Sequence, residues 1–142
     1  MGQNIKYDLS VLSQHGIDMQ GVFFDTMLQS YVLDATATRH DMDTLAAKHL
    51  NYSTIKFEDI AGTGPSQLTF NQIPLEKAAP YAAEDADISL RLFNALDCRV
   101  RSEDSLLKLY NDIEMPLIAV LSRMECRGAL IDGTLLLNYS QE

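Results

Sequence analysis

The stretch LEKAAPYAAEDADISLRLFNALDCRV, residues 75–100, decides how the chain is read. Leu75, Ala79, Ala82, Ala86, Leu90, Phe93, Leu96 and Val100 recur at helical spacing, which predicts one long helix with those residues as its apolar stripe. Within it, Tyr81 and Asp85 are four apart and share a face, while Asp87 points elsewhere. The alanines around them let another backbone approach closely. A phenol and a carboxylate stacked on a small-residue face suit a metal-and-water site, the carboxylate binding a divalent ion and the phenol orienting a water.

Downstream, Arg101-Ser102-Glu103-Asp104 is a candidate boundary. A further helix is expected over about Leu106 to Arg127, with Ile113, Leu117, Val120, Leu121 and Met124 buried. Pro116 should start a second helix or kink the first, and Gly128 should end it. Leu130-Ile131 reads as a short strand, and Asp132 as the cap of a last helix. Upstream, a helix is expected from Asn4 to about His15, stopped at Gly16. Val22-Phe23-Phe24 reads as a strand, Asp25 as the N-cap of a helix over Thr26 to about Leu33, and Asp41 as the cap of a short helix ending near Leu50. Residues from about Ile60 to Asn71 read as a loop.

The second chemical segment is Gly2-Gln3-Asn4-Ile5-Lys6-Tyr7-Asp8. If it is helical, Asn4 and Asp8 share a face. Bulk properties set limits on what such residues do. The 142 residues carry a net charge of −9, which argues against a broad basic face for duplex DNA. An acidic metal site acting on a strand end is compatible with that charge, because the ions bring the positive charge. No apolar run reaches the ~20 residues of a membrane helix. Cys98 and Cys126 fit no metal spacing and read as thiols of a cytoplasmic protein. His15, His40 and His49 read as surface or capping residues, since no two have ligand spacing.

GQNIKYD resembles the second exonuclease motif of the bacterial family A DNA polymerases (the DNA polymerase I family), and YAAEDAD resembles the third, Tyr-x-x-x-Asp, motif. RHDMDTLA, FEDIAG, QLTFNQI and the later IEMPL, VLSR and ID follow in the same order. A lone Tyr-x-x-x-Asp carries no weight; the ordered series is specific and covers almost the whole chain. The resemblance implies a ribonuclease H-like α/β exonuclease domain, present here as a truncated, mainly α-helical part. It assigns residues 1–101 to that domain and 105–142 to the start of the polymerase domain. It implies 3′→5′ removal of nucleotides from a single-stranded 3′ end, with two magnesium or manganese ions. Asp8 and Asp85 would hold metal, Tyr81 would position the attacking water, and Asn4, Tyr7, Arg39 and Phe57 would lie near the DNA strand.

The family's first motif, Asp-x-Glu on a strand, lies N-terminal to GQN. Phe24-Asp25-Thr26 imitates it, but Met27 stands where the Glu belongs. Asp112-Ile113-Glu114 is expected in a helix, where a spacing of two splays the carboxylates. Two of four carboxylates remain, so residues 1–142 alone are expected to bind metal weakly, to lack nuclease activity, and to expose Ala79, Ala82, Ala86 and Leu90 for self-association or contact with the rest of a polymerase chain. Each residue also has a plainer role. Asp8 serves as a solvated helix residue, Tyr81 as a half-buried core residue, Phe57 as core filler and Arg39 as a partner for a nearby carboxylate. Lys6 reads mainly as a surface charge. The rival reading is a non-catalytic helical module that packs against a partner or binds DNA weakly.

Overall fold

The structure, a computed structural model, describes residues 1–21, 24–37 and 39–141. Its regular elements among the described residues are helices, and the only extended pairing there is a parallel bridge between Gly2 and Asp25. In that bridge the Gly2 amide donates to the Phe24 carbonyl and the Thr26 amide to the Gly2 carbonyl, both at 3.0 Å. The strand expected at Val22-Phe23-Phe24 falls, apart from Phe24, outside the described residues.

The long helix is present and forms the spine. We label the helices α1 (Ile5–Gln14), α2 (Thr26–Leu33), α3 (Met42–Leu45, continued by a π-type turn over Ala46–Leu50), α4 (Phe57–Ala61), α5 (Leu75–Arg101), α6 (Asp104–Leu109), α7 (Met115–Arg127) and α8 (Gly133–Tyr139). Pro80 lies inside α5 and withdraws one donor from its second turn, yet the helix runs through it. Three apolar clusters hang on α5. Ile88 and Leu92 pack with Leu45 and Ala46. Val100 packs with Val32 and Tyr110. Ala78 packs with Ala61 and Ile73.

The apolar line expected on α5 is exposed at Ala79, Ala82, Ala86 and Leu90, as expected for residues 1–142 alone. Leu96 and Val100 are buried, but the buried line continues upward through Leu92 and Ile88, not Leu90 and Ala86. Leu75 is exposed too. An i, i+4 series drifts around the helix relative to the 3.6-residue repeat, so two apolar lines exist on α5 and the neighbouring helices cover one of them.

Pro116 opens α7, as expected from its missing N–H. The chain reaches it from α6 through a π-type turn over Tyr110–Glu114. The stripe expected on α7 is corrected. Ile113, Leu117, Val120, Leu121 and Met124 are exposed, and Ile118 is the buried residue of α7. α7 packs chiefly against α1, and the Lys6–Glu125 ion pair and the Ser10–Ser122 contact lie along that seam. Leu130-Ile131 forms no strand and both residues are exposed. Asp132 caps α8 through the Thr134 and Leu135 amides.

Candidate functional site

α1 begins one residue later than expected. Asn4 adopts the left-handed conformation, φ 58°, outside the helix, so the four-residue spacing does not put its side chain on the face of Asp8. Nor does the Asn4 side chain cap α1. The cap comes from Asp25, whose carboxylate accepts from the amides of Asn4 (3.3 Å) and Ile5 (2.7 Å). The same carboxylate caps α2 through Met27 (2.8 Å) and Leu28 (3.1 Å). The main chain of Asp25 is clamped in turn by the Tyr110 hydroxyl, which accepts from its amide at 2.9 Å and donates to its carbonyl at 3.2 Å.

From this anchored first turn Asp8 opens onto a cavity of about 480 Å³, and Asp85 reaches the same cavity from the middle of α5. Met1, Gly2, Gln3, Met42, Ala86, Ser89 and Leu90 complete the lining. Neither Asp8 nor Asp85 has a hydrogen-bond or ion-pair partner among the described residues. Loss of hydration raises the Asp8 pKa, with help from the charge of Asp25. Asp85 is raised chiefly by burial and then by Glu84 and Asp43. Those two acids already have duties. Glu84 accepts from the Tyr52 hydroxyl at 2.7 Å and the Ile55 amide at 2.6 Å, and Asp43 accepts from the Thr54 hydroxyl at 2.7 Å.

Tyr81 stands one turn before Asp85 and lies outside that cavity lining. Its ring is flanked by Phe57 at 6.2 Å and Phe70 at 6.1 Å between centroids. Burial, then Asp85, Asp43 and Glu84, push its pKa up, so at neutral pH it is a neutral phenol. Phe57 packs on the Ala61–Ile73–Ala78 cluster as well as on Tyr81. Tyr7 is exposed on a second cavity, of about 380 Å³, on the other side of Asp8. Arg39 pairs with Asp41 at 2.8 Å, and Asn4 lines a small apolar pocket between α1, α2 and α7. The structure thus puts Asp8 and Asp85 on the lining of one cavity, with Tyr81 one helical turn from Asp85, while Asn4 and Arg39 lie outside that lining.

Hard oxygen donors suit magnesium or manganese. Two carboxylates without partners among the described residues, Asp8 exposed and Asp85 half-buried, line one cavity and are donors of the kind such a cation takes. Among the described residues no group of three or more ligating side chains forms. The sequence reading passed over Phe70 and Asp43, although Phe70 lies within QLTFNQI and Asp43 within RHDMDTLA; no spacing singles out either residue inside its motif.

Residues 1–101 match the family model described as 3′–5′ exonuclease. Relatives agree over a longer span. The chain is 57% identical along its whole length to DNA polymerase I of Pseudomonas aeruginosa, and spans 16% of that protein. It is 43% identical, again along its whole length, to DNA polymerase I of Rhizobium leguminosarum, spanning 14% of it. Over 93% of the chain it is 39% identical to DNA polymerase I of Borreliella burgdorferi. The chain belongs to the 3′–5′ exonuclease family. Its similarity to DNA polymerase I runs on beyond residue 101, through α6, α7 and α8.

Proposed function

We propose that residues 1–101 form the later part of a ribonuclease H-like exonuclease domain that removes nucleotides from a single-stranded 3′ DNA end, and that residues 105–142 begin the polymerase domain of the same cytoplasmic protein. The observation that carries this reading is the meeting of Asp8 and Asp85, from two separate motifs, on one cavity. Asp8 and Asp85 hold magnesium or manganese there. The ions, when bound, stabilise charge on the attacking and leaving oxygens of the phosphodiester. Two carboxylates do not complete a two-metal set, and we assign the remaining ligands to the Asp-x-Glu strand that the resemblance places before Gly2.

Tyr81 orients the attacking water. Its raised pKa keeps the hydroxyl proton in place, so the phenol holds the water by hydrogen bonding and does not act as its base. Phe57 supports the Tyr81 ring from one side and presents its free edge to a base. Tyr7 borders the strand beside Asp8. Asn4 and Arg39 contact it further out, Arg39 exchanging Asp41 for a phosphate.

The test uses the longer polymerase chain that carries this segment, with labelled single-stranded DNA and magnesium. Asp85→Ala is expected to abolish release of 3′ nucleotides and to leave polymerisation largely intact. Nuclease activity at the unsubstituted rate in that variant overturns the assignment.

A further inference from the structure

We propose that Asp25 is a positioning residue for Asp8, fixing the N-terminus of α1 and thereby the direction from which Asp8 meets the cavity it shares with Asp85; this rests on the reading of that cavity as the metal-holding site. A plain N-cap serves its own helix, with its side chain taking the N2 or N3 amide. Asp25 does this for α2 and then does more. It is 1% exposed, and its second oxygen, Oδ2, is given over to the Ile5 amide at 2.7 Å, the shortest of its four bonds. α1 has no side-chain cap of its own, so its first turn depends on a residue twenty positions away.

The surrounding geometry removes other ways for that turn to settle. Gly2 is locked beside Asp25 by the parallel bridge, and a side chain at Gly2 would meet Ile5 atoms at 3.2 Å. Ile5 itself is 5% exposed. Asp8 follows within one turn of Ile5, so a shift at the Ile5 amide is carried directly to its Cα. Tyr110 holds the Asp25 main chain from the far side. The placement of Asp8 therefore depends on a residue beyond the part of the chain that matches the exonuclease family model.

The division of labour between the two oxygens supplies a selective variant. Oδ1 takes the Asn4, Met27 and Leu28 amides. In Asp25→Asn the carbonyl oxygen stays where most donors converge, keeping the α2 cap, and the NH₂ group faces the Ile5 amide, donor against donor. Asp25→Ser also caps α2 but is too short to reach α1. Both are made in the longer polymerase chain beside Asp85→Ala, and three quantities are read: exonuclease rate, Mn²⁺ binding by electron paramagnetic resonance, and amide hydrogen exchange without metal.

The part of Mn²⁺ binding that disappears in Asp85→Ala defines the contribution of this site. Its half-saturation is expected to rise about tenfold in both Asp25 variants, the scale seen when support for a metal ligand is lost, with the exonuclease rate falling at fixed magnesium. Exchange should speed up across residues 5–9 and stay unchanged across 26–33. Unchanged Mn²⁺ binding, or exchange accelerated equally in both helices, overturns the positioning role. If Asp85→Ala removes no Mn²⁺ and no exonuclease activity, the reading of the site itself fails.

Discussion

Asp25 and the Asp8–Asp85 pair are carboxylates a short way apart in the same acidic molecule, and they are treated in opposite ways. Asp25 is fully buried and accepts four backbone N–H groups from two helices. Asp8 and Asp85 open onto a shared cavity with no partner among the described residues, and both are pushed toward the protonated state. A buried charge is tolerated when its lone pairs are filled by oriented donors, because those donors replace the lost water. Asp85, half-buried with nothing opposite it, gains nothing for the fold, whereas exposed Asp8 gains only the small benefit of an acid in the first turn of α1. Asp25 is thus a residue on which folding depends, whereas Asp85 is kept at some expense to stability, as the proposed metal-holding role requires. The contrast can be broken by measuring stability, independently of any activity.

The largest expected effect is at Asp25. Asp25→Ala leaves the Asn4, Ile5, Met27 and Leu28 amides without their shared acceptor. Loss of one cap costs roughly 1 kcal/mol, up to about 2; with both helices uncapped we expect a loss of about 2–4 kcal/mol in urea unfolding. A change below about 1 kcal/mol would show that water replaces the carboxylate easily and that the junction is less closed than its burial suggests.

Tyr110, on the other side of the junction, gives the next effect through pH. Burial, with the nearby Asp25 and Asp97 charges and against the Asp25 backbone bond, raises its pKa from 10.0 to about 12. Below pH 10 the phenol is protonated in both folded and unfolded chains, and its contribution to stability is complete. Between 10 and about 12 the unfolded chain loses this proton and the folded one keeps it, so stability falls as pH rises, by about 1.4 kcal/mol per unit. Tyr110→Phe removes that slope and leaves those of the other tyrosines. Urea midpoints from pH 8 to 11 for the two proteins should therefore converge as pH rises; parallel curves would place the Tyr110 hydroxyl in contact with water.

The two halves of this contrast were not equally legible in the sequence. Asp25 as a cap was readable, because Asp before Thr-Met-Leu is a local signal. Its second helix was not, since the Ile5 contact is closed by tertiary packing alone. Asp8, Tyr81 and Asp85 were singled out by motif and spacing, and the two acids line one cavity, with Tyr81 a turn away beside Phe57 and Phe70. Asn4 was misplaced because its helical spacing presumed a helix that starts only at Ile5. The α5 and α7 stripes show the same limit. Periodicity detects that Leu90 or Leu117 belongs to an apolar line, but which line is covered depends on the partner that arrives. Here Ile88 and Leu92 meet α3 and the turn that continues it, while Leu90 and the whole expected α7 line are exposed.

The smallest expected effect has the opposite sign to the first. Asp85→Ala in residues 1–142 should raise stability, by about 0.5 kcal/mol, in metal-free buffer at neutral pH. Ala is the better helix former at an interior position of α5, by up to about 0.7 kcal/mol. Removing the carboxylate also relieves Glu84 and Asp43, whose charges act against it, although partial exposure screens that gain. Nothing is lost in exchange, since Asp85 makes no hydrogen bond or ion pair with the described residues. Added magnesium should narrow the difference only slightly, because two carboxylates bind it weakly and the stabilisation scales with the logarithm of magnesium concentration over its dissociation constant. The measurement is a pair of urea titrations, with chelator and with magnesium. If Asp85→Ala is destabilising by 1 kcal/mol or more in chelator, Asp85 has a structural partner, and the distinction between a carboxylate that holds the fold and one held ready for a metal does not apply to it.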